Sequence, residues 1–188
     1  MKDQNKLIVF RIDKQQFALY LPIIERIVRI VEISPLPKAP DYIMGVIDYK
    51  GILIPVVNVR NMFGMPEKEV DLNDQLIIAN TSTRTLALWV DKVLDVIEQD
   101  EKEISKAEKF FVGAEFIKGI FKFEDGMVLI HDLDQFLTAK EISLLKAALN
   151  KEKERKREFP EKKKPDEIKK KSEAKVKATT KVKSIKKT

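Results

Sequence analysis

An all-β body is expected here, made of two small subdomains built on one plan, curled into barrels and followed by a C-terminal helix. Three observations carry that expectation: short apolar runs punctuated by turn residues, an internal repeat of their order, and a capped amphipathic segment at 138–150.

Residues 6–12 (KLIVFRI) and 16–21 (QFALYL) flank a polar turn and read as a hairpin. Pro22 to Ile33 mixes β-branched residues with charge. Its spacing fits helix or strand, and its Ile and Val content favours extended chain. The run SPLPKAP holds three prolines and is read as a loop. Met44 to Tyr49 and Ile52 to Val59 form a second hairpin about Lys50-Gly51, with a helical turn at Asn61 to Phe63.

This order recurs. Residues 7–28 lie over 76–97 at a shift of 69, placing Phe17-Ala18-Leu19-Tyr20 over Leu86-Ala87-Leu88-Trp89. Residues 45–63 lie over 119–137 at a shift of 74, matching Gly45 with Gly119 and Asn58 with Asp132. Strand sets this small avoid exposed edges by closing into barrels, and each half is too small for a generous core, so the halves should share an apolar interface. In TAKEISLLKAALN (138–150), Ile142, Leu145 and Leu149 have helix spacing, Leu144 and Ala148 widen the face, and Thr138 with Glu141 makes a capping box.

The 188 residues carry a formal charge of +6, but unevenly. Residues 1–150 hold 19 Lys+Arg against 23 Asp+Glu, and residues 151–188 hold 17 against 7. The body is therefore acidic and the basicity belongs to the tail. That tail is too poor in apolar residues to offset the entropy of ordering, so 150–188 reads as a disordered extension. A solvated segment, weak salt-sensitive contact with an anionic protein or membrane surface, and nucleic-acid binding stay open for it, the last without any signature of specific readout.

With no cysteine and one histidine, disulfide frameworks, thiolate metal sites and cysteine nucleophiles are excluded. No apolar run reaches membrane-spanning length and the start lacks signal-peptide character, so a soluble cytoplasmic protein is expected. No nucleotide-binding, zinc-protease or hydrolase motif occurs. His131-Asp132-Leu133-Asp134 resembles a metal or acid-base cluster, but Asp132 is better explained as a helix cap, matching Asn58 in the other half. The acids from Asp91 to Glu103 read as a solvated face, and Trp89 as core. No catalytic residue, metal or cofactor is expected.

The segment EISPLPKAP followed by IMGVIDYKGILIPVVNVRNMFG closely resembles the CheW family of chemotaxis coupling proteins. Gly45-Val-Ile-Asp-Tyr-Lys-Gly51 stands where members carry GVINLRG, and Pro55-Val-Val-Asn-Val-Arg60 where they carry Pro-Val-Val-Asp-Leu-Arg. The opening hairpin, VDKVLDVIE at 90–98, FIKGIFKFEDGMVLI and EISLLKAAL follow in order, so the resemblance spans about residues 5–149. It implies a CheW-like domain over 5–149, with two SH3-like five-stranded β-barrel subdomains packed through an apolar interface.

The implied function is a noncatalytic adaptor joining the cytoplasmic tips of chemoreceptors to the regulatory domain of the histidine kinase CheA, in an array at the membrane. The resemblance places receptor contacts near Ile24, Arg26, Ile27, Val28 and Gly45, with Lys50 added as an exposed charge. It places kinase contacts near Asn58, Arg60 and Phe63. For the apolar members, core and interface remain equal readings. Members often have Glu at the position of Arg26 and Arg at that of Lys50, so a pairing of opposite charges is lost here unless Glu25 or Glu32 compensates, and altered receptor choice or contact geometry is expected, with coupling retained. The alternative is a diverged scaffold in another signalling assembly, with the basic tail recruiting an acidic partner.

Overall fold

The computed structural model describes residues 5–106, 116–124 and 126–158. The elements are β1 (Lys6–Ile12), β2 (Gln15–Tyr20), β3 (Ile24–Arg29), β4 (Ile43–Tyr49), β5 (Ile52–Asn58), α1 (Val59–Met62), β6 (Gln75–Asn80), β7 (Thr85–Val90), β8 (Lys92–Glu98), β9 (Ser105–Lys106), β10 (Ile117–Phe123), β11 (Gly126–His131) and α2 (Ala139–Glu158). Short 3₁₀ turns occupy Leu21–Ile23, Glu101–Glu103 and Leu133–Gln135. The described residues up to Lys151 form one compact unit, and Glu152 to Glu158 fall in a second, where Arg155 pairs with Glu152 at 2.6 Å.

The strands form two sheets, ordered β8-β1-β2-β11-β10-β9 and β3-β6-β7-β5-β4. The sequence repeat accounts for this order, but with an exchange. The hairpin β1–β2 of the first half lies between β8 and β11 of the second, while β6–β7 lies between β3 and β5. The joins are the two parallel pairings, and they share one register: Ala18 faces Ile130 as Ala87 faces Val56.

Irregularities repeat as well. The β3–β6 register shifts between Ile24 and Arg26, and the β1–β8 register shifts between Val93 and Asp95, the positions 69 residues on. A second pair of shifts falls at Ile43/Gly45 and Ile117/Gly119. The glycine in each case lets another segment approach closely. A Cβ at Gly45 would meet the Ser34 carbonyl oxygen at 2.2 Å, and one at Gly119 would meet Ile104 Cγ2 at 2.5 Å. Gly45 also has φ +153°, a conformation L side chains rarely adopt.

Strand alternation sends one face of each sheet into a cluster drawn from both, including Phe10, Phe17, Leu19, Val57, Ile77, Leu86 and Leu88. The opposite faces form separate clusters, Val9, Ala18, Phe121 and Ile130 in one sheet and Ile54, Val56, Ile78 and Trp89 in the other. Trp89 is core, as its neighbours predict, with its indole N–H donating to Asp74 Oδ2 at 2.9 Å.

The expectation of an all-β fold with two closed five-stranded barrels is corrected on two counts. Among the described residues, β8 and β9 end one sheet and β3 and β4 the other without pairing with each other, so neither sheet closes, and one has six strands. The 20-residue α2 makes the fold mixed α/β. Edges are protected by other means than closure. β3 exposes Glu25, Arg26 and Arg29, β8 exposes Lys92, Asp95 and Glu98, β9 is two residues long, and Ser34 bridges to Val46 beside β4.

The capping box is present: Thr138 Oγ1 accepts the Glu141 amide at 3.3 Å and Glu141 Oε2 accepts the Thr138 amide at 2.8 Å. Ile142, Leu145, Ala148 and Leu149 pack into the shared cluster, whereas Leu144, expected to widen that face, is 46% exposed. The helix runs beyond residue 150 to Glu158, and the rest of the predicted disordered tail lies outside the described residues.

Candidate functional site

The residues expected to contact a receptor gather on β3 and the β4–β5 turn. The irregularity at Glu25 changes the alternation of β3, so Ile24 and Ile27 both reach the shared cluster while Val28 packs against the core of the five-stranded sheet. All three are half-buried, leaving Arg26 as the exposed side chain among the β3 candidates. Gly45 is buried, where its lack of a side chain permits the Ser34 approach. Lys50 and Gly51 have φ of 54° and 82°, the left-handed geometry of a tight hairpin, braced by the Gly51 amide donating to Asp48 Oδ1 at 2.8 Å.

Arg26 and Lys50 converge on one ring: the Arg26 guanidinium lies 5.8 Å and Lys50 Nζ 5.2 Å from the centre of Tyr49. Among the described residues neither cation has a carboxylate within ion-pair distance. The result is a small exposed patch of two positive charges on an aromatic face, beside the half-buried apolar residues of β3.

The expected kinase contacts have a different character. Asn58 caps α1, its Oδ1 accepting the amides of Arg60 at 3.0 Å and Asn61 at 3.3 Å. Arg60, expected among the kinase contacts, is 2% exposed. Its Nη1 donates to Asp13 Oδ2 at 2.7 Å and its Nη2 to both oxygens of Asp91 at 2.7 Å. Lys68 joins Asp91 to Asp74, and Asp91 Oδ2 also accepts the Asp13 amide at 2.7 Å. Burial opposes the guanidinium charge, but the hydrogen bonds and attraction from Asp13 and Asp91 outweigh it and hold its pKa above the ordinary value.

Sequence reasoning placed Asp91 on a solvated face and Asp13 in a turn. No local signal joins them to Arg60, which stands 47 residues from one and 31 from the other.

Phe63 is half-buried and stacks on His131, ring centres 4.6 Å apart, with Phe17, Phe116 and Phe136 around them. His131 is 2% exposed, and its Nδ1 lies 3.2 Å from the Phe116 carbonyl oxygen. Asp132 caps the following turn, accepting the Asp134 amide at 3.1 Å, as its match with Asn58 predicts. Among the described residues no group of three or more His, Cys, Asp or Glu is placed to hold a metal.

Two outcomes follow from this geometry. Replacing Arg60 with Met removes its hydrogen bonds to Asp13 and Asp91 and leaves the half-buried Asp91 with Lys68 and the Asp13 amide, and should lower unfolding free energy by about 2 kcal/mol in denaturant titration, with part recovered by adding Asp91→Asn. Burial pushes the His131 pKa down to about 4 from 6.5, against the opposing pull of its hydrogen bond. Between those values the unfolded chain binds the extra proton. Stability should therefore be flat above pH 6.5 and fall as pH drops toward 4, by about 3 kcal/mol in all. Unfolding midpoints at several pH values, compared with His131→Phe, isolate this effect; an unchanged slope in the variant would refute it.

Residues 6–141 match the model of the CheW-like domain family. The chain is 28% identical over 139 residues to the chemotaxis protein CheW of Rhizobium meliloti, covering 73% of this chain and 90% of that protein. It is 28% identical over 132 residues to the CheW of Thermotoga maritima, covering 70% and 87%. The crystal structure of the scaffolding protein TtCheW from Thermoanaerobacter tengcongensis aligns with a TM-score of 0.68 at 27% identity, over 73% of this chain and 95% of that one. The matched span takes in every described strand and the start of α2, and on that ground the chain belongs to the CheW-like domain family.

Proposed function

We propose that this protein is a noncatalytic chemotaxis adaptor that couples the cytoplasmic tips of chemoreceptors to the regulatory domain of the histidine kinase CheA. The observation that carries the reading is the family match over residues 6–141, joined to relatives named as chemotaxis proteins and a similar structure named as a scaffold. An adaptor of this kind transmits a receptor state by making different contacts in each signalling state, and it needs separate docking surfaces rather than reacting groups.

The receptor-facing surface is assigned to Arg26, Tyr49 and Lys50 with the flanking apolar residues Ile24, Ile27 and Val28. An edge strand with half-buried aliphatics and exposed cations offers both area and charge to a helical partner. Gly45 supports that surface from beneath through its contact with Ser34. The kinase-facing surface is assigned to the segment around α1, with Phe63 as the contacting side chain and Asn58 and Arg60 holding the segment in place. Among the described residues no helix is long and apolar enough to cross a membrane, and on this reading the protein reaches the membrane-associated array through its partners.

Titration of the full chain, and of a form ending at Glu158, with the CheA regulatory domain at moderate and high salt tests the assignment. Saturable binding that survives both truncation and salt is expected. Binding lost with the tail or in high salt would favour the rival reading, a scaffold recruited elsewhere through its +10 extension. On the receptor side, Arg26→Glu should change affinity for a receptor-tip peptide by about tenfold while leaving kinase binding intact, and Lys50→Arg should change it less. Unchanged receptor affinity in both variants would remove this patch from the interface.

A further inference from the structure

The segment joining α1 to β6 carries the apolar side chain that the fold leaves most bare. Leu72 is 84% exposed, more than any other large apolar residue among those described, and Val70, two positions before it, is 49% exposed. Val31, equally exposed, follows Ile30, whose amide donates to the Asp74 carbonyl at 2.9 Å and so brings the end of β3 to the same turn. Single exposed aliphatics need no explanation, but three gathered at one corner from two parts of the chain form a patch.

The turn that carries Leu72 is tightly held. Asp71 Oδ1 accepts both the backbone amide and the side-chain Nδ2 of Asn73, at 2.7 and 2.9 Å, and the Asp74 amide donates to the Asp71 carbonyl at 3.0 Å. Asp74 is buried; its Oδ2 accepts the Asp71 amide and the Trp89 indole N–H, both at 2.9 Å, and its Oδ1 accepts Lys68. Lys68 also donates to Asp91, which holds the Arg60 guanidinium, and the Arg60 carbonyl accepts the Met65 amide at 2.9 Å. One network therefore anchors α1 with Phe63 at the start of the segment and Leu72 at its end. A side chain presented on so fixed a turn loses little further backbone freedom on docking.

The charges around the patch have one sign. Glu67, Glu69 and Asp71 are exposed, whereas Lys68, the segment's single cation, is committed to Asp74 and Asp91. We propose that Leu72 is an anchor that enters an apolar pocket rimmed by lysine or arginine on the regulatory domain of the kinase, with Val70 and Val31 covering the mouth of that pocket. The kinase is the occupant because the anchor continues the segment assigned to it, and the network at Arg60 holds both ends of that segment. The basic rim follows from complementarity with the three exposed carboxylates. This inference rests on the coupling reading and adds to it a second contact beyond Phe63.

The full chain is titrated calorimetrically with the CheA regulatory domain, beside Leu72→Ser, Leu72→Met, Asp71→Ala and the double reversal Glu67→Lys with Glu69→Lys. Leu72→Ser should weaken binding at least about tenfold, and Leu72→Met by less than about threefold. Asp71→Ala keeps the leucine but releases its turn and should weaken binding severalfold. The glutamate reversal should weaken binding most at low salt. Affinity for a receptor-tip peptide should stay unchanged in all four variants. Trp89 is the chain's single tryptophan and bonds Asp74 at the base of the turn, so an unchanged emission spectrum in Leu72→Ser shows that the turn is kept. Wild-type binding that Leu72→Ser leaves unaltered would overturn the anchor while the coupling reading stands. A loss confined to the receptor-tip peptide would overturn the occupant, and indifference to the glutamate reversal would overturn the basic rim. No binding by the wild-type chain would end the coupling reading and this inference with it.

Discussion

The exchange of opening hairpins between the two halves is the constraint on which the rest of the body depends. β1–β2 is completed on both sides by strands from the second half, and β6–β7 by strands from the first. Neither sheet can form from one half of the sequence, and the parallel seams joining Ala18 to Ile130 and Ala87 to Val56 bring together positions far apart in the chain. These pairings must close long loops before their hydrogen bonds form, so the sheets and the apolar cluster between them are expected to assemble together. The same exchange explains why the core contains matched residues from both halves, such as Phe17 and Leu86, Leu19 and Leu88.

Two-fold repetition of the plan does not extend to its charges, and the difference lies where the chain meets its surroundings. One pole is sealed by Arg60, Asp13, Asp91, Lys68 and Asp74, a network with both signs present and tight hydrogen bonds. At the other, Pro22, Ser82 and Asp134 stand at the positions matching Asp91, Asp13 and Arg60, and Asp134 Oδ1 accepts the Ser82 amide at 2.7 Å. Buried ion pairs add less to stability than their short distances suggest, because both partners lose solvation. What such a network does well is hold a short segment in one place, and α1 with Phe63 is the segment held here. Edge strands show the same division: β3 carries Arg26 beside Tyr49 and Lys50, while β8 carries Asp95 and Glu98.

Local features were legible because their partners are a few residues apart. Asn58 and Asp132 cap the turns that follow them, Thr138 and Glu141 bond each other, and Lys50-Gly51 turns the hairpin. The repeat, read as aligned apolar runs with the matches Gly45 to Gly119 and Asn58 to Asp132, anticipated matching strands and matching caps. It did not disclose that the hairpins change places, because an alignment records resemblance between positions and is silent on which strand each will pair with. Barrel closure failed for a related reason: edge protection can be met by charge, shortness or a bridge, and the alternation of apolar residues is the same in each case.

The sequence by itself determined the hairpin strands and their turns, the caps, the division of charge between body and tail, and the family resemblance, though not the short strand β9. These depend on residue type and short spacing, and they survive any arrangement of the elements in space. Only the tertiary structure decided that Arg60 is buried, that Arg26 and Lys50 share the ring of Tyr49, and that Leu144 faces outward. Burial and pairing belong to groups brought together across tens of residues, and their energies depend on distance and solvent exclusion that no single stretch of chain contains.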